Sequence, residues 1–189
     1  MLEKNWNDLI TPSNVVITAK DGDIKGTVVA EPIERGYGLT IGNSLRRILL
    51  SSLQGAAITS VKIKGVVHEF STIPGVKEDL TDILLNLKSI AVKVHSPGLK
   101  KMYLKSSGSG ELRAGNFETD SETEIMNPDQ LIMTLDSNAD IEIEANVETG
   151  KGYVSAEVAE DENKVIGEIK LDAMFSPVIK ASYKVENSR

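Results

Sequence analysis

The sequence predicts an α+β fold in which two amphipathic helices accompany many short strands. Apolar residues recur at helical spacing in two segments, residues 41–52 and 76–87. From residue 101 to residue 158 the chain instead offers short β-type runs separated by Gly, Ser, Asn and Asp. These two observations predict helices in the first half of the chain and a β-rich middle.

Composition sets the first limits on function. The chain has 189 residues, enough for one ordinary domain or two small ones, and its hydrophobic (40%) and charged (26%) fractions are ordinary for a globular protein. No signal peptide and no run of about 18 apolar residues is visible, so we expect a cytoplasmic protein without a membrane span. Cysteine is absent, which excludes disulfides, thiolate metal sites and a cysteine nucleophile.

Charge argues against a direct grip on nucleic acid. The formal net charge is −7 and aromatic residues make up only 4% of the chain. Proteins that bind DNA or RNA usually present a basic stripe for the phosphates, and single-strand binders add aromatic stacking platforms. We therefore expect no direct DNA contact.

The first elements are a hairpin and a helix. Val15–Ile17 and Lys25–Glu31 predict two strands joined by a turn at residues 21–23. Thr40 is a candidate N-cap for the helix, and Gly55 marks its predicted end. The helix has an apolar stripe on one face, formed by Ile41, Leu45, Ile48 and Leu49.

The next elements are a second hairpin and a second helix. The hairpin is predicted from Ala57 through a turn at Gly65 into Val66–Phe70. The helix follows Pro74-Gly75, with acidic residues in its first turn and Lys88 in its last, as the helix dipole favours. Its apolar stripe consists of Val76, Leu80, Ile83, Leu84 and Leu87.

Further strands are predicted toward the end of the chain. Ser106–Gly110, SSGSG, is interpreted as a hairpin tip, and residues 159–164 as a charged exposed loop. Ile166–Met174 and Val178–Val185 then predict two strands separated by Ser176-Pro177.

Motifs for catalysis, metals or cofactors fail on spacing. The glycines of Gly36–Gly42 precede a helix, but a dinucleotide loop would need its third glycine at Ile41, and no G-K-[ST] follows. The pair His68-Glu69 lacks the second histidine, which a helical zinc motif would place at Thr72. The acidic trio Glu78, Asp79 and Asp82 is ordinary for a helix start. We expect no catalytic residue, metal or cofactor.

One face of the first helix suggests a protein contact. Opposite the apolar stripe, Arg46 and Arg47 flank Leu50, which points away from the expected core. A solvated face with a stray leucine would explain this pattern, and so would an interface, because arginine beside an apolar anchor is enriched in interfaces. The residues alone leave both readings open.

The chain resembles the N-terminal assembly domain of the bacterial RNA polymerase α subunit. The main block is Glu34–Ser52, ERGYGLTIGNSLRRILLSS, and further blocks match in order along the chain. These are HEFST at 68–72 running on to GVKED at 75–79, ILLNLK at 83–88, GKGYV at 150–154, SPV at 176–178 and YKVE at 183–186.

The resemblance implies a layout and a set of partners. It implies a dimerisation subdomain at residues 1–54 and 173–189, containing strands and a long helix, with a β-rich subdomain inserted at 55–172. The family's α subunits form a homodimer that recruits the β and β′ subunits, which carry the catalysis. Full family members continue beyond Val185-Glu186, so the resemblance also predicts a truncated chain.

The resemblance implies site residues as well. The apolar stripe of the first helix, Ile41, Leu45, Ile48 and Leu49, would serve dimerisation. The β contact would use Arg46, Arg47, Leu50, His68, Glu69 and Ser71. The β′ contact would use Lys88, Leu171 and Asp172.

The alternative functions are a small enzyme or nucleotide-binding protein that uses the Gly36–Gly42 turn, and a ligand-binding β module at residues 57–158.

Overall fold

The computed structural model describes residues 8–19, 24–68, 70–156 and 167–187. Within these ranges the fold is mostly β, with two α-helices, α1 (Tyr37–Ser51) and α2 (Leu80–Lys88). The strands are β1 (Asn14–Thr18), β2 (Thr27–Glu31), β3 (Gln54–Ile63), β4 (Val92–Val94), β5 (Lys100–Ser107), β6 (Gly110–Arg113), β7 (Thr123–Ile125), β8 (Leu131–Leu135), β9 (Asp140–Lys151), β10 (Tyr153–Val154), β11 (Glu168–Lys170) and β12 (Ala173–Met174). Neither helix is long and apolar enough to span a membrane.

The chain divides into two compact units. The terminal unit comprises the described residues up to Leu49 together with those from Lys180 onward, and the insert unit is Leu50–Ile179. In the terminal unit β1 pairs with β2 in an antiparallel ladder, from Asn14↔Glu31 to Thr18↔Thr27. The two strands of the first predicted hairpin are confirmed, while its turn at residues 21–23 lies outside the described residues. The predicted boundaries at 54/55 and 172/173 stay a prediction.

Both ends of α1 differ from the prediction. The helix begins at Tyr37, three residues before the predicted N-cap Thr40. The Tyr37 N–H donates to the Glu34 carbonyl at 3.1 Å, and this hydrogen bond closes the turn that leads into the helix. It ends at Ser51, and Gly55 lies inside β3. A Cβ on Gly55 would lie 2.0 Å from the carbonyl oxygen of Phe175. That glycine therefore permits a close backbone approach in a strand and does not cap the helix.

The insert unit is built on one large sheet. Its strand order is β5-β9-β3-β4-β7, and β11 also pairs with β3. The long strand β9 buries alternate side chains, Ile141, Ile143, Ala145 and Val147, as the period of two requires for one covered face. The β-rich middle of the chain is thus confirmed.

Helix α2 contributes to the same hydrophobic core. Four of its side chains are buried, Leu80, Ile83, Leu84 and Leu87. Burying one such side chain stabilises a fold by about 1.5–3 kcal/mol, so the stripe anchors the helix. Val76, which was expected in the helix, instead bridges to Leu135 of β8. The helix starts only at Leu80, because the segment before it is tied to β8.

Three other predicted elements are wrong. Ser106–Gly110 does not close a hairpin, because β5 pairs with β9 whereas β6 pairs with β8. The described residues of 66–70 form no strand but close turns, in which the Val66 N–H donates to Ile63 and the Ser71 N–H to His68. Val178–Val185 forms no strand either. The charged loop predicted at 159–164 lies outside the described residues.

Candidate subunit-contact surfaces

The stripe predicted for dimerisation is exposed in the single chain. No residue of α1 is buried. Leu45 is 53% exposed and Ile48 50%, and Ile41 and Leu49 are exposed as well. The hairpin of the same unit also presents apolar side chains to solvent, namely Val15, Val16, Ile17, Val28 and Val29. The terminal unit therefore carries far more exposed apolar surface than a self-sufficient domain needs.

The glycines of α1 serve packing within this unit. A Cβ on Gly38 would lie 2.9 Å from Cγ1 of Val185, and one on Gly42 would lie 2.5 Å from Cδ2 of Tyr183. The segment from Lys180 onward thus fits against α1 because these two positions lack side chains. Val185 and Tyr183 therefore lie against two of the three glycines that the nucleotide-binding alternative would use. The geometry gives no support to the nucleotide-binding alternative at Gly36–Gly42.

The residues proposed by resemblance for the β contact lie on two elements. Arg46 and Arg47 are exposed on α1, whereas Leu50 is half-buried, although the helical pattern suggested an exposed leucine. His68 and Ser71 belong to one turn, where Ser71 Oγ lies 3.3 Å from His68 Nδ1. Glu69 lies outside the described residues.

The turn at His68 also presents apolar side chains that motif reasoning missed. Phe70 is 83% exposed and its neighbour Val67 is also exposed, while Val66 points into the core. Aromatic residues, phenylalanine among them, are enriched in protein interfaces. The sequence signal was available, because Phe70 adjoins the HE pair, but the strand interpretation assigned it to a ladder.

Two of the three residues proposed for the β′ contact come together in space. Lys88 Nζ of α2 lies 3.1 Å from Asp172 Oδ2, and the Ala156 N–H donates to Asp172 Oδ1 at 3.0 Å. The hydrogen bonds from Ala156, Lys88 and the Tyr153 hydroxyl outweigh partial desolvation and hold the pKa of Asp172 below its usual value of 3.8. Leu171, by contrast, is only 7% exposed, so its side chain belongs to the core.

Two neighbours of this ion pair were not predicted. Tyr153 and Met174 face each other in the β10–β12 ladder, and both side chains are exposed. Their adjacency follows from strand pairing, which no local pattern in the sequence announces. Together with Lys88 and Asp172 they form a mixed apolar and charged surface.

The outer face of the large sheet carries a shallow polar groove of about 250 Å³, lined by Lys62, Lys101, Glu144, Asn146 and Glu168. Its polar groups mostly bond to one another. Asn146 Nδ2 donates to Ser60 Oγ at 2.9 Å and to Glu168 Oε1 at 3.1 Å, and Lys101 bonds to Glu144. Such cross-strand pairs of polar and charged side chains are ordinary on the solvent-facing side of a sheet, so the groove is not a distinctive candidate site. Over the residues with assigned positions, no group of three or more His, Asp or Glu side chains is arranged to hold a metal ion.

The described chain is thus a β-rich protein whose candidate sites are surfaces. A family model for the RNA polymerase Rpb3/RpoA insert domain matches residues 61–176. The match covers more than half of the chain and lies within the insert unit. The chain belongs to this family and carries an RNA polymerase α-subunit N-terminal domain. It is therefore a subunit of a DNA-directed RNA polymerase and acts in transcription.

Proposed function

We propose that this chain is a non-catalytic assembly subunit, which dimerises through its terminal unit and recruits the β and β′ subunits of RNA polymerase. The observation that carries the proposal is the exposed apolar stripe on α1, none of whose residues is buried. The family match supports a place in the polymerase complex. The chemistry of polymerisation then belongs to the partners.

The physical argument for dimerisation rests on the length and surface of α1. A helix of 15 residues is marginal in water unless its apolar face packs against something. In a symmetric dimer the same patch is used twice, so two copies of the stripe Ile41, Leu45, Ile48 and Leu49 can cover each other. Dimerisation would also remove from water the apolar surface of the β1–β2 hairpin.

The two outer contacts would differ in chemistry. For β, the proposed contact uses two groups of residues, Arg46, Arg47 and Leu50 in the first and His68, Glu69 and Ser71 in the second. Arginine can donate bidentate hydrogen bonds to a carboxylate or to backbone carbonyls of a partner. For β′, the proposed surface is centred on Lys88 and Asp172, with Leu171 supporting Asp172 from the core.

Sedimentation velocity of the purified chain tests the dimer. Wild type should sediment as a dimer at micromolar concentration, and Leu45→Glu should be monomeric because two charges would be buried in the centre of the interface. Asn43→Glu, a polar position off the stripe, is the matched control and should remain dimeric. A dimeric Leu45→Glu variant, or a wild type that is monomeric at all concentrations, would remove the proposed interface.

A further inference from the structure

The last buried side chain of the insert unit, Phe175, covers a pair of glycines. It is 6% exposed. A Cβ on Gly150 would lie 2.7 Å from its ring atoms Cδ2 and Cε2, and a Cβ on Gly55 would lie 2.0 Å from its carbonyl oxygen. Gly55 and Gly150 are register partners on β3 and β9. Phe175 thus lies against a cross-strand glycine pair, and a side chain at either glycine would overlap it.

The backbone around Phe175 is fixed to the same place. Its N–H donates to the Gly152 carbonyl at 2.8 Å. Gly152 has a φ of 66°, a left-handed conformation that glycine adopts without strain. Immediately before Phe175, Met174 and Ala173 pair with Tyr153 and Val154. The hydrogen bond and the two-residue ladder thus fix residues 173–175 to Gly152 and β10, and Phe175 itself lies against Gly150 of β9 and Gly55 of β3.

This attachment lies where both connections of the chain begin. One connection runs from the boundary at Leu49 to β3, whose second residue is Gly55. The other runs from Phe175 to the boundary at Ile179. Within the insert unit, both connections therefore meet the large sheet at the same few residues.

The terminal unit depends on those two connections. Tyr183 and Val185 pack against Gly42 and Gly38 of α1, although the entire insert separates them in sequence. Closing a loop costs more entropy the longer it is. When Phe175 is held on Gly55, the loop that must close to bring the segment from Lys180 onward to α1 consists only of the two short connections, and the insert no longer adds to its length.

We propose that Phe175, seated on the Gly55–Gly150 pair, is a latch that brings the two connections together and thereby lets the segment from Lys180 onward reach α1. The latch couples packing in the insert unit to completion of the terminal unit. It acts within one chain and does not depend on the identity of any partner.

An engineered cysteine pair can measure the latch. The wild-type chain has no cysteine, and a Cβ on Gly38 would lie 3.7 Å from Cβ of Val185, within the range of a disulfide. In the full chain carrying Gly38→Cys and Val185→Cys, equilibrium with a glutathione buffer gives the effective concentration of the two thiols. Non-reducing gels separate the intramolecular disulfide from dimers. Adding Phe175→Ala should lower this effective concentration by about tenfold or more.

The matched control is Met174→Ala, which removes an exposed side chain next to the latch and should change the effective concentration by less than about twofold. Hydrogen exchange of the β9 amides reports whether the insert core remains folded. If Phe175→Ala unfolds the core, Phe175→Leu, which keeps an apolar side chain, takes its place and should lower the value by a smaller factor. An unchanged effective concentration in whichever of these variants keeps β9 protected would overturn the proposal.

Discussion

Lys88 and Asp172 form an ion pair across 84 residues of sequence, with 3.1 Å between Nζ and Oδ2. The pair ties the last turn of α2 to the residue just before β12, and the Ala156 N–H completes the environment of the carboxylate. The same two side chains are half-exposed, so they can hold the local fold and still meet a partner.

Asp172→Asn should make the chain less stable at neutral pH and no less stable in acid. The folded-state pKa of Asp172 is depressed, so its stabilising contribution is fully present above the ordinary pKa of 3.8 and is lost as the pH falls from there through the lower folded-state pKa. Because the side chain is partly exposed and screened, the expected loss at pH 7 is only about 0.5–1 kcal/mol.

Urea denaturation at pH 7 and at pH 3 measures this difference. Asp129→Asn, which replaces an exposed aspartate away from the Lys88–Asp172 ion pair, is the control, and its free energy of unfolding should differ little from wild type at either pH. An Asp172→Asn penalty of equal size at both pH values would contradict the assignment, because neutralising the carboxylate would then not matter.

Glu78→Ala should destabilise the insert unit by about 1–3 kcal/mol, because it leaves a backbone donor without its partner. Glu78 Oε2 accepts the Thr134 N–H at 2.7 Å and Oε1 accepts the Thr134 hydroxyl at 2.8 Å. Burial raises the pKa of Glu78, but these hydrogen bonds lower it by more. Thermal or urea unfolding measures the loss, and Glu118→Ala, an exposed glutamate, should stay within about 0.5 kcal/mol of wild type. A neutral Glu78→Ala would mean that Thr134 is satisfied in another way.

Gly150→Ala should cost about 1–3 kcal/mol, because its new methyl group would overlap the Phe175 ring. In a Phe175→Ala background the same substitution should cost much less, since the overlapping ring is gone. A double-mutant cycle by urea denaturation gives the coupling between the two positions. Strictly additive effects would show that the ring does not limit position 150.

Phe70→Ser should leave the fold intact and weaken capture of the β subunit. The side chain is exposed, so its removal should change the free energy of unfolding by less than about 0.5 kcal/mol. An exposed aromatic anchor in an interface contributes about 2 kcal/mol or more when a partner buries it. Pull-down of β with tagged wild-type and variant chains measures the effect, and Leu99→Ser, another exposed apolar residue, is the control. Equal capture by wild type and Phe70→Ser would exclude this turn from the β contact.

Local pattern predicted the buried side of α2 well. Leu80, Ile83, Leu84 and Leu87 were recognised by spacing alone, and all are buried. Val76 fitted the same spacing but pairs with Leu135, because tertiary pairing with β8 prevailed over helical periodicity. Periodicity therefore identified the stripe and misplaced its beginning.

Strand predictions failed where strand formation depended on another part of the chain to pair with. Val178–Val185 alternates as a strand should, yet a strand exists only when another backbone pairs with it, and none does so in the described chain. Gly55 was interpreted as the helix end, and Gly42 was weighed only as a member of a phosphate-binding turn. Each in fact makes room for a residue far along the sequence, Phe175 and Tyr183.

The candidate surfaces were predicted in part. The resemblance named Lys88 and Asp172 as members of one contact, and the structure brings them together as an ion pair. Their neighbours Tyr153 and Met174 could not be inferred, because strand register brings them there. The spacing of apolar residues predicted the α1 stripe. Spacing alone does not tell whether other residues of the same chain cover that stripe or leave it exposed.

The contact between Gly150 and Phe175 also constrains how this sequence can change over time. A methyl group at position 150 is admissible only after the ring at position 175 has shrunk, whereas loss of the ring alone leaves a void over two bare glycines. Neither step is neutral when taken first. The two positions should therefore be inherited as a pair among relatives, and grafting the end of this insert onto another member should succeed only when both residues come from the same parent.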